Sequence, residues 1–549
     1  MFVTTPANLR WVALSVLPIA WAQSGGPQSG LQYGENWLPT VKDSELVAQN
    51  FPDVDIELLS PAFLDPQSVP ERFTNGTEGP TGHSELESFI KDLAEKNDWM
   101  EYQPGDFLSE EGRTIPYVFL SQPSPSNSSN TSKNKLRVYL QGAIHGNEPA
   151  ADQSVLALLG KMDANQTWTK SLLEKMDIKI LPRYNVDGVD YFQRQLAVNL
   201  DPNREHIKLM RAQSRSIKRV VSEYSPHISI DMHEFTAPTV YGGHYQHGAD
   251  SLISGGINLN IHQAIRNQVL DHFIPAMGAR LESYGLRWEH YATGASNSTP
   301  GSAISLTQAV TEARTGRNAV GLTQAISFLL EMRGIRIGNQ HFQRRVATAL
   351  IKIEAILELA RDQTDDIYST VEGAIAEFID SDDNIVVTDS YPRSNRTFTM
   401  IDQRNGNVVQ APVTWYETTP SRANLTRARP EAYIIPRSWA DIAERLEILG
   451  LEVETLDDEF RGPVEAMTVA SSKLGSSLYE GHVLNTVTTE TSTREVVLPA
   501  GSFRISTRQK NAALAFTALE PENIDSYVTF NIIPVARGDE YPVFRIPRS

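Results

Sequence analysis

From residue 81 the chain alternates two periodicities. Leu86, Phe89, Ile90 and Leu93 recur at helical spacing in "SELESFIKDLAEKNDW", which predicts an amphipathic helix. "IPYVFL" at 115–120 and "LRVYL" at 136–140 instead read as strands, separated by the polar loop "SPSNSSNTS". Further on, "PAADQSVLALLGKM" predicts a helix with Pro149 in its first turn, where a missing N–H costs nothing. "IKIL" at 178–181 is a strand, "REHIKLMRAQSRSIKRVVSEY" a helix and "HISIDM" at 227–232 a strand. Residues 259–284 are mainly helical, "AISFLLE" at 325–331 is a strand and "HFQRRVATALIKIEAILELARD" a long helix. Strands and helices that alternate in this way predict an α/β fold, with a mixed, mostly parallel sheet sandwiched by helices.

Either side of this stretch the pattern differs. Residues 23–80 are rich in Pro, Gly and Ser with weak periodicity, and read as an irregular arm. After about 370 the chain turns to strands: "NIVVTDSY", and "TFTMIDQRNGNVVQAPVTWY" with "NGN" as a turn. "EAYIIP" and "LEVETL" flank a helix containing "WADIAERLEIL", and residues 465–549 return to strands and turns. The expected organisation is an arm at 23–80, an α/β domain at 81–370 and a β-rich C-terminal domain at 375–549. A length of 549 residues also calls for roughly two to four domains.

Composition narrows the partners. With 40% apolar and 21% charged residues the chain has globular composition, and its net charge of −18 argues against nucleic acid and anionic membranes. Arg10 followed by "WVALSVLPIAWA" at 11–22, ending Ala20-Trp21-Ala22, reads as a secretory signal peptide. The seven N-x-S/T sites at Asn75, Asn127, Asn130, Asn165, Asn297, Asn395 and Asn424 agree with export and glycosylation. No apolar run is long enough to span a bilayer, so a secreted, extracellular protein is expected; a monomer is expected as well. The chain has no cysteine, so any metal must be held by His, Asp or Glu.

Those residue types collect where ligands bind in open α/β sheets, at the carboxyl ends of strands. His145 and Glu148 follow the strand at 136–140, His233 ends "HISIDM", Glu331 ends "AISFLL", and Asn203 and Arg204 lie in the loop after the strand at 178–181. Two histidines and one carboxylate make a three-ligand zinc set with the fourth position open, as catalytic sites require. Glu331 is then the spare carboxylate that takes a proton from water, and a nearby guanidinium can stabilise an oxyanion or hold a substrate carboxylate. Each residue also has a plainer reading. HxxE occurs once, and with twelve histidines about one match arises by chance. Asp231 and Glu234 can be surface charge, Glu331 can pair with Arg333, and Asn203-Arg204 can cap the next helix. His244 and His247 form a competing i,i+3 pair, read as a loop because no strand-end carboxylate accompanies it.

The motifs in their order resemble the M14 (carboxypeptidase A-like) zinc carboxypeptidases over residues 80–365. "EEGRTIPYVFL" is similar to the family's strand entry and "GAIHGNEPA" to its HxxE zinc motif. "YNVDGVDYF" is similar to its N-P-D-G-x-x-Y segment, with Val186 where proline is usual. "LDPNRE" resembles its N-R pair, "DMHEF" its third-ligand strand and "FLLEMRG" its general-base strand. The resemblance implies an eight-stranded mixed sheet and one Zn2+ on His145, Glu148 and His233. It makes Glu331 general base and then general acid, and Asn203 and Arg204 the receivers of the terminal carboxylate. Arg194, nine residues before Asn203, is placed like the family's oxyanion-stabilising arginine. The implied substrates are peptides or proteins with a free C-terminus. Pancreatic-type members carry a substrate-capping tyrosine shortly before the base; no tyrosine lies between Tyr291 and Glu331 here, and Tyr291 stands too far upstream for that spacing. Two other functions use the same residues differently: an amidohydrolase acting on acylated amino acids or cell-wall peptides, and a non-catalytic secreted binding protein.

Overall fold

A computed structural model describes residues 32–34, 36–122 and 134–548; the signal-like segment and the sites at Asn127 and Asn130 lie outside them. An eight-stranded mixed sheet sits at the centre. Its strands are β1 (Met100–Gln103), β2 (Tyr117–Leu120), β3 (Leu136–Gln141), β4 (Met176–Leu181), β5 (Ile228–Thr236), β6 (Ser251–Gly255), β7 (Trp288–His290) and β8 (Ile326–Ile335). They run in the order β1-β2-β4-β3-β5-β8-β6-β7. The four central strands β4, β3, β5 and β8 are mutually parallel; β1 against β2, β2 against β4, and β8 against β6 are antiparallel.

Side-chain alternation shows why both faces are covered. In β3, Leu136, Val138 and Leu140 join the main apolar core, while Tyr139 points the other way into a second cluster with Tyr184, Ile217 and Val221. A strand buried on both sides must be apolar at successive positions. Helices α1 (His83–Lys96), α2 (Pro149–Ala164) and α4 (Phe342–Asp362) supply buried residues to the first face, and α3 (Ala212–Tyr224) covers the second. The helix expected from Arg204 begins only at Ala212. Glu205 Oε2 accepts the N–H groups of Met210 and Arg211 at 2.7 and 3.0 Å, and Leu209 has φ +49°, so residues 205–211 form a loop that separates α3 from the one-turn 3-10 helix Pro202–Arg204.

The β-rich C-terminal region does not stand apart. The hairpin Arg393–Asp402 and Asn407–Tyr416, turning at the expected "NGN", joins a five-stranded sheet with Tyr245–His247, Ser305–Gln308 and Ala292–Thr293. A six-stranded sheet and a two-stranded antiparallel pair, Ile385–Ser390 with Arg422–Arg427, hold the rest, and Tyr433, Ile505, Tyr527 and Val543 share one apolar core with α2, α4 and the central strands. Among the described residues no helix is long and apolar enough to cross a membrane.

The arm is tied down by charge. Asp43 meets Arg333 of β8 through two bonds, at 2.6 and 2.8 Å, and lies 3.4 Å from His341. Burial opposes the Asp43 charge, but Arg333 and His341 outweigh it and bring its pKa from 3.8 to about 2. That difference is worth about 2 kcal/mol of folding free energy. Because the folded state favours the charged form, the contribution is complete above about pH 4 and is lost as pH falls from there towards 2. Asp43→Asn, which also strands the Arg333 charge, is expected to lower stability by about 2–4 kcal/mol at neutral pH. Denaturant titrations of both proteins should converge on acidification; a gap unchanged down to pH 2 would refute the assignment.

Candidate metal centre

The loop after β3 carries His145 over a tight backbone crossing. A Cβ at Gly146 would stand 1.9 Å from the carbonyl carbon of Gly188, so only glycine lets this loop pack on the Val186–Asp190 turn. Glu148 then occupies the N-cap of α2, ahead of Pro149. His233 comes from β5. Its alternation places it on the same face as Asp231, and Glu331 pairs with it directly in register on β8.

Three side chains converge in the interior. Glu148 Oε1 lies 2.7 Å from His145 Nδ1 and Oε2 lies 3.1 Å from His233 Nδ1; the two Nδ1 atoms are 3.2 Å apart. The potential ligand atoms all fall within 4.8 Å of one another, the single such group among the described residues. All three residues are buried. The backbone N–H of Glu234 also donates to Glu148 Oε2 at 2.9 Å.

Carboxylates stand behind both imidazoles. His145 Nε2 is 3.1 Å from Asp201 Oδ1, and His233 Nε2 is 2.9 Å from Asp231 Oδ2. A carboxylate beside Nε2 favours the proton there and so turns the Nδ1 lone pair toward the other ligands; Asp201 does this for His145 through a hydrogen bond, and Asp231 for His233 through its charge. Two facing lone pairs and a carboxylate, with a carboxylate orienting each ring, fit a divalent cation of the zinc type. The electrostatics agree. Burial disfavours the Glu148 charge, yet His145 and His233 hold its pKa well below the usual carboxylate range.

Glu331 is also buried, and its Oε2 has no hydrogen-bond partner. Burial raises its pKa; the Glu148 charge adds to the rise, against the pull of His233. Arg194 spans the rim: its Nε and Nη2 donate to Asp201 Oδ2 at 3.1 and 2.9 Å, and its Nη1 reaches His145 Nδ1 at 3.1 Å and Glu148 Oε1 at 3.4 Å. Asn203 is buried, with its N–H on Asp201 Oδ1 and its Oδ1 accepting from Gly316 N–H, both at 2.8 Å. Arg204 Nη1 donates to the Asn203 carbonyl at 2.8 Å and is 4.0 Å from Asp201 Oδ2.

The plainer readings fare differently. Arg333 pairs with Asp43, not with Glu331. Glu234 is no surface charge: it is buried on Arg345 at 2.7 Å. Asp231 is buried too, accepting from Gln141 at 2.9 Å. Asn203 and Arg204 cap no helix, since the N-cap of α3 is Arg211. His247 donates to or accepts from the Tyr241 hydroxyl at 2.9 Å inside an apolar cluster, and His244 lies 3.9 Å from Asp402, so that pair converges on no common point. The sequence reading missed Asp201, although it stands inside the quoted "LDPNRE". Tyr291, set aside on spacing, feels the charges of Glu331, Arg317, Arg194 and Arg204, and Arg317 lies 5.8 Å over its ring. No sequence spacing marks it; the fold brings it there.

A buried nitrogen-and-oxygen donor set next to an unpartnered carboxylate is the equipment of a metal-dependent hydrolase. The family described as zinc carboxypeptidase, Peptidase M14, matches residues 86–237. Carboxypeptidase 2 of Trichophyton tonsurans is 50% identical over 521 residues, spanning 94% of this chain and 96% of that protein. Carboxypeptidase 2 of Trichophyton rubrum is 49% identical over the same shares. Among solved structures, a metallo-carboxypeptidase from Burkholderia cenocepacia is similar at 15% identity and a TM-score of 0.39, over 52% of this chain and 70% of that one. The chain belongs to the zinc carboxypeptidase family and is a metallocarboxypeptidase.

Proposed function

We propose that the protein is a secreted exopeptidase that removes C-terminal residues from peptides and proteins, with His145, Glu148 and His233 holding one Zn2+. Bound there, the ion supplies a Lewis acid that polarises a carbonyl and lowers the pKa of water to about 7. Glu331 takes the proton of the attacking water and returns it to the leaving amine; its burial makes it a stronger base than an exposed carboxylate. Arg194 donates to the oxyanion of the tetrahedral intermediate, its guanidinium already aimed by Asp201. Asn203 and Arg204 receive the substrate's terminal carboxylate, and Tyr291 lies within electrostatic reach of Arg204 and Glu331. The observation that carries the reading is the pairing of His233 with Glu331 across two parallel strands: one register sets ligand and base side by side.

Export is supported by the segment at 11–22 and by the five described sequon asparagines, Asn75, Asn165, Asn297, Asn395 and Asn424, all of them exposed. The division into an α/β part at 81–370 and a C-terminal part at 375–549 is proposed with it, the two sharing a core.

The carboxylate reading predicts a substrate effect. Amidating a peptide's C-terminus, or changing Arg204 to Gln, deletes a charge-assisted bond and should lower kcat/KM by about 10- to 200-fold. Equal hydrolysis of free and amidated peptides would favour the amidohydrolase instead, and mass spectrometry of the products decides between them.

A further inference from the structure

The turn that carries Asn203 and Arg204 is gripped by the C-terminal region. Phe460–Tyr479 and His482–Leu498 form a long antiparallel hairpin in which Tyr479 pairs with His482. Glu480 and Gly481 close it with φ of +48° and +80°. Successive positive φ values define the tight turn whose first central position Asn, Asp or Gly usually fills. A glutamate there is strained, and strain at a non-glycine residue persists only where its surroundings compensate it.

The compensation lies at the metal centre. Glu480 Oε2 accepts the backbone N–H of Asp201 at 2.7 Å. Asp201 is the hub of the rim: one oxygen meets His145 Nε2 and the Asn203 N–H, and the other takes two bonds from Arg194. The same region holds the segments on either side. Arg445 donates to the carbonyl of Leu209 at 2.8 Å, beyond Arg204. Asp525 accepts the Ala313 N–H at 2.6 Å and pairs with Arg314, whose guanidinium lies 5.1 Å over the Tyr479 ring. Three residues further on, the Gly316 N–H reaches Asn203 Oδ1.

We propose that Glu480 is a positioning residue for the substrate-carboxylate pocket: by holding the Asp201 amide it fixes the Asp201–Arg204 turn, so that the C-terminal hairpin completes the peptidase site. This rests on the reading of Arg204 as the group that receives the terminal carboxylate, and the test separates the two.

Steady-state kinetics on the zinc-loaded, full-length protein with free-C-terminus peptides provide the test. In Glu480→Ala, KM should rise about tenfold or more, the scale of one lost hydrogen bond in a polar network, and by a larger factor than kcat falls, with zinc still at one ion per chain, because the Asp201 carboxylate keeps its own bonds to His145 and Arg194. Glu480→Gln keeps a carbonyl that can accept the same N–H and should stay within about threefold of the parent KM. If Arg204→Gln raises KM but Glu480→Ala does not, the positioning role is refuted and the pocket stands. If Arg204→Gln leaves KM unchanged, the pocket reading has failed, and the positioning role with it. Glu480→Gln as impaired as Glu480→Ala would also overturn the proposal, since acceptance of the amide would not be what matters. Should Glu480→Ala fail to fold, Glu480→Asp carries the test: it withdraws the acceptor by one methylene, KM should rise, and an unchanged KM refutes the role.

Discussion

Glu331→Gln, purified with its full metal complement, should hydrolyse peptides about 10²- to 10⁴-fold more slowly than the parent, with KM little altered. The substitution keeps volume and shape and removes only the capacity to take a proton. Glu331 is not among the three converging ligands, so zinc should remain at one ion per chain. Its Oε2 has no protein partner, so the amide displaces no structural hydrogen bond. Burial and the Glu148 charge raise its pKa, which places the group where a single carboxylate can act first as base and then as acid. Metal analysis beside single-turnover rates checks the claim. A zinc-replete variant within tenfold of parental kcat would remove Glu331 from proton transfer.

How much of this could be read from the chain depends on the range of the interaction. The α/β alternation was legible because each strand and helix states its period over a few residues. So was the HxxE, because the strand before it and the helix after it are local signals. Asp231 was half-legible: it stands two residues before His233 on a strand, hence on the same face, but only the fold shows that this face is buried. The residues 205–211 misled because Ile207 and Met210 sit at helix-compatible spacing, while Glu205 turns back onto the amides of Met210 and Arg211. Beyond that range the sequence is silent. Arg333 finds Asp43 across 290 residues, and Asp201 finds Glu480 across 279. Nothing in either neighbourhood marks its partner, because both contacts arise from packing whole elements against the sheet.

Removing the metal should abolish hydrolysis and also soften the fold. Asp201 and Asp231 face the Nε2 atoms of His145 and His233, so both Nδ1 lone pairs point inward, 3.2 Å apart, against a buried carboxylate. Only a shared positive charge makes that arrangement favourable: a proton serves partly, and a divalent ion serves all three donors at once. An ion that binds only the folded chain stabilises it by about 4 kcal/mol when free metal stands a thousandfold above its dissociation constant. Dialysis against a chelator should therefore lower the thermal midpoint together with activity, and one equivalent of Zn2+ should restore both. In His233→Ala, which deletes a donor, zinc should restore neither. Hydrolysis that survives in protein shown to be metal-free would exclude the cluster from the chemistry, because Glu331 and Arg194 alone have no means of polarising both the water and the carbonyl.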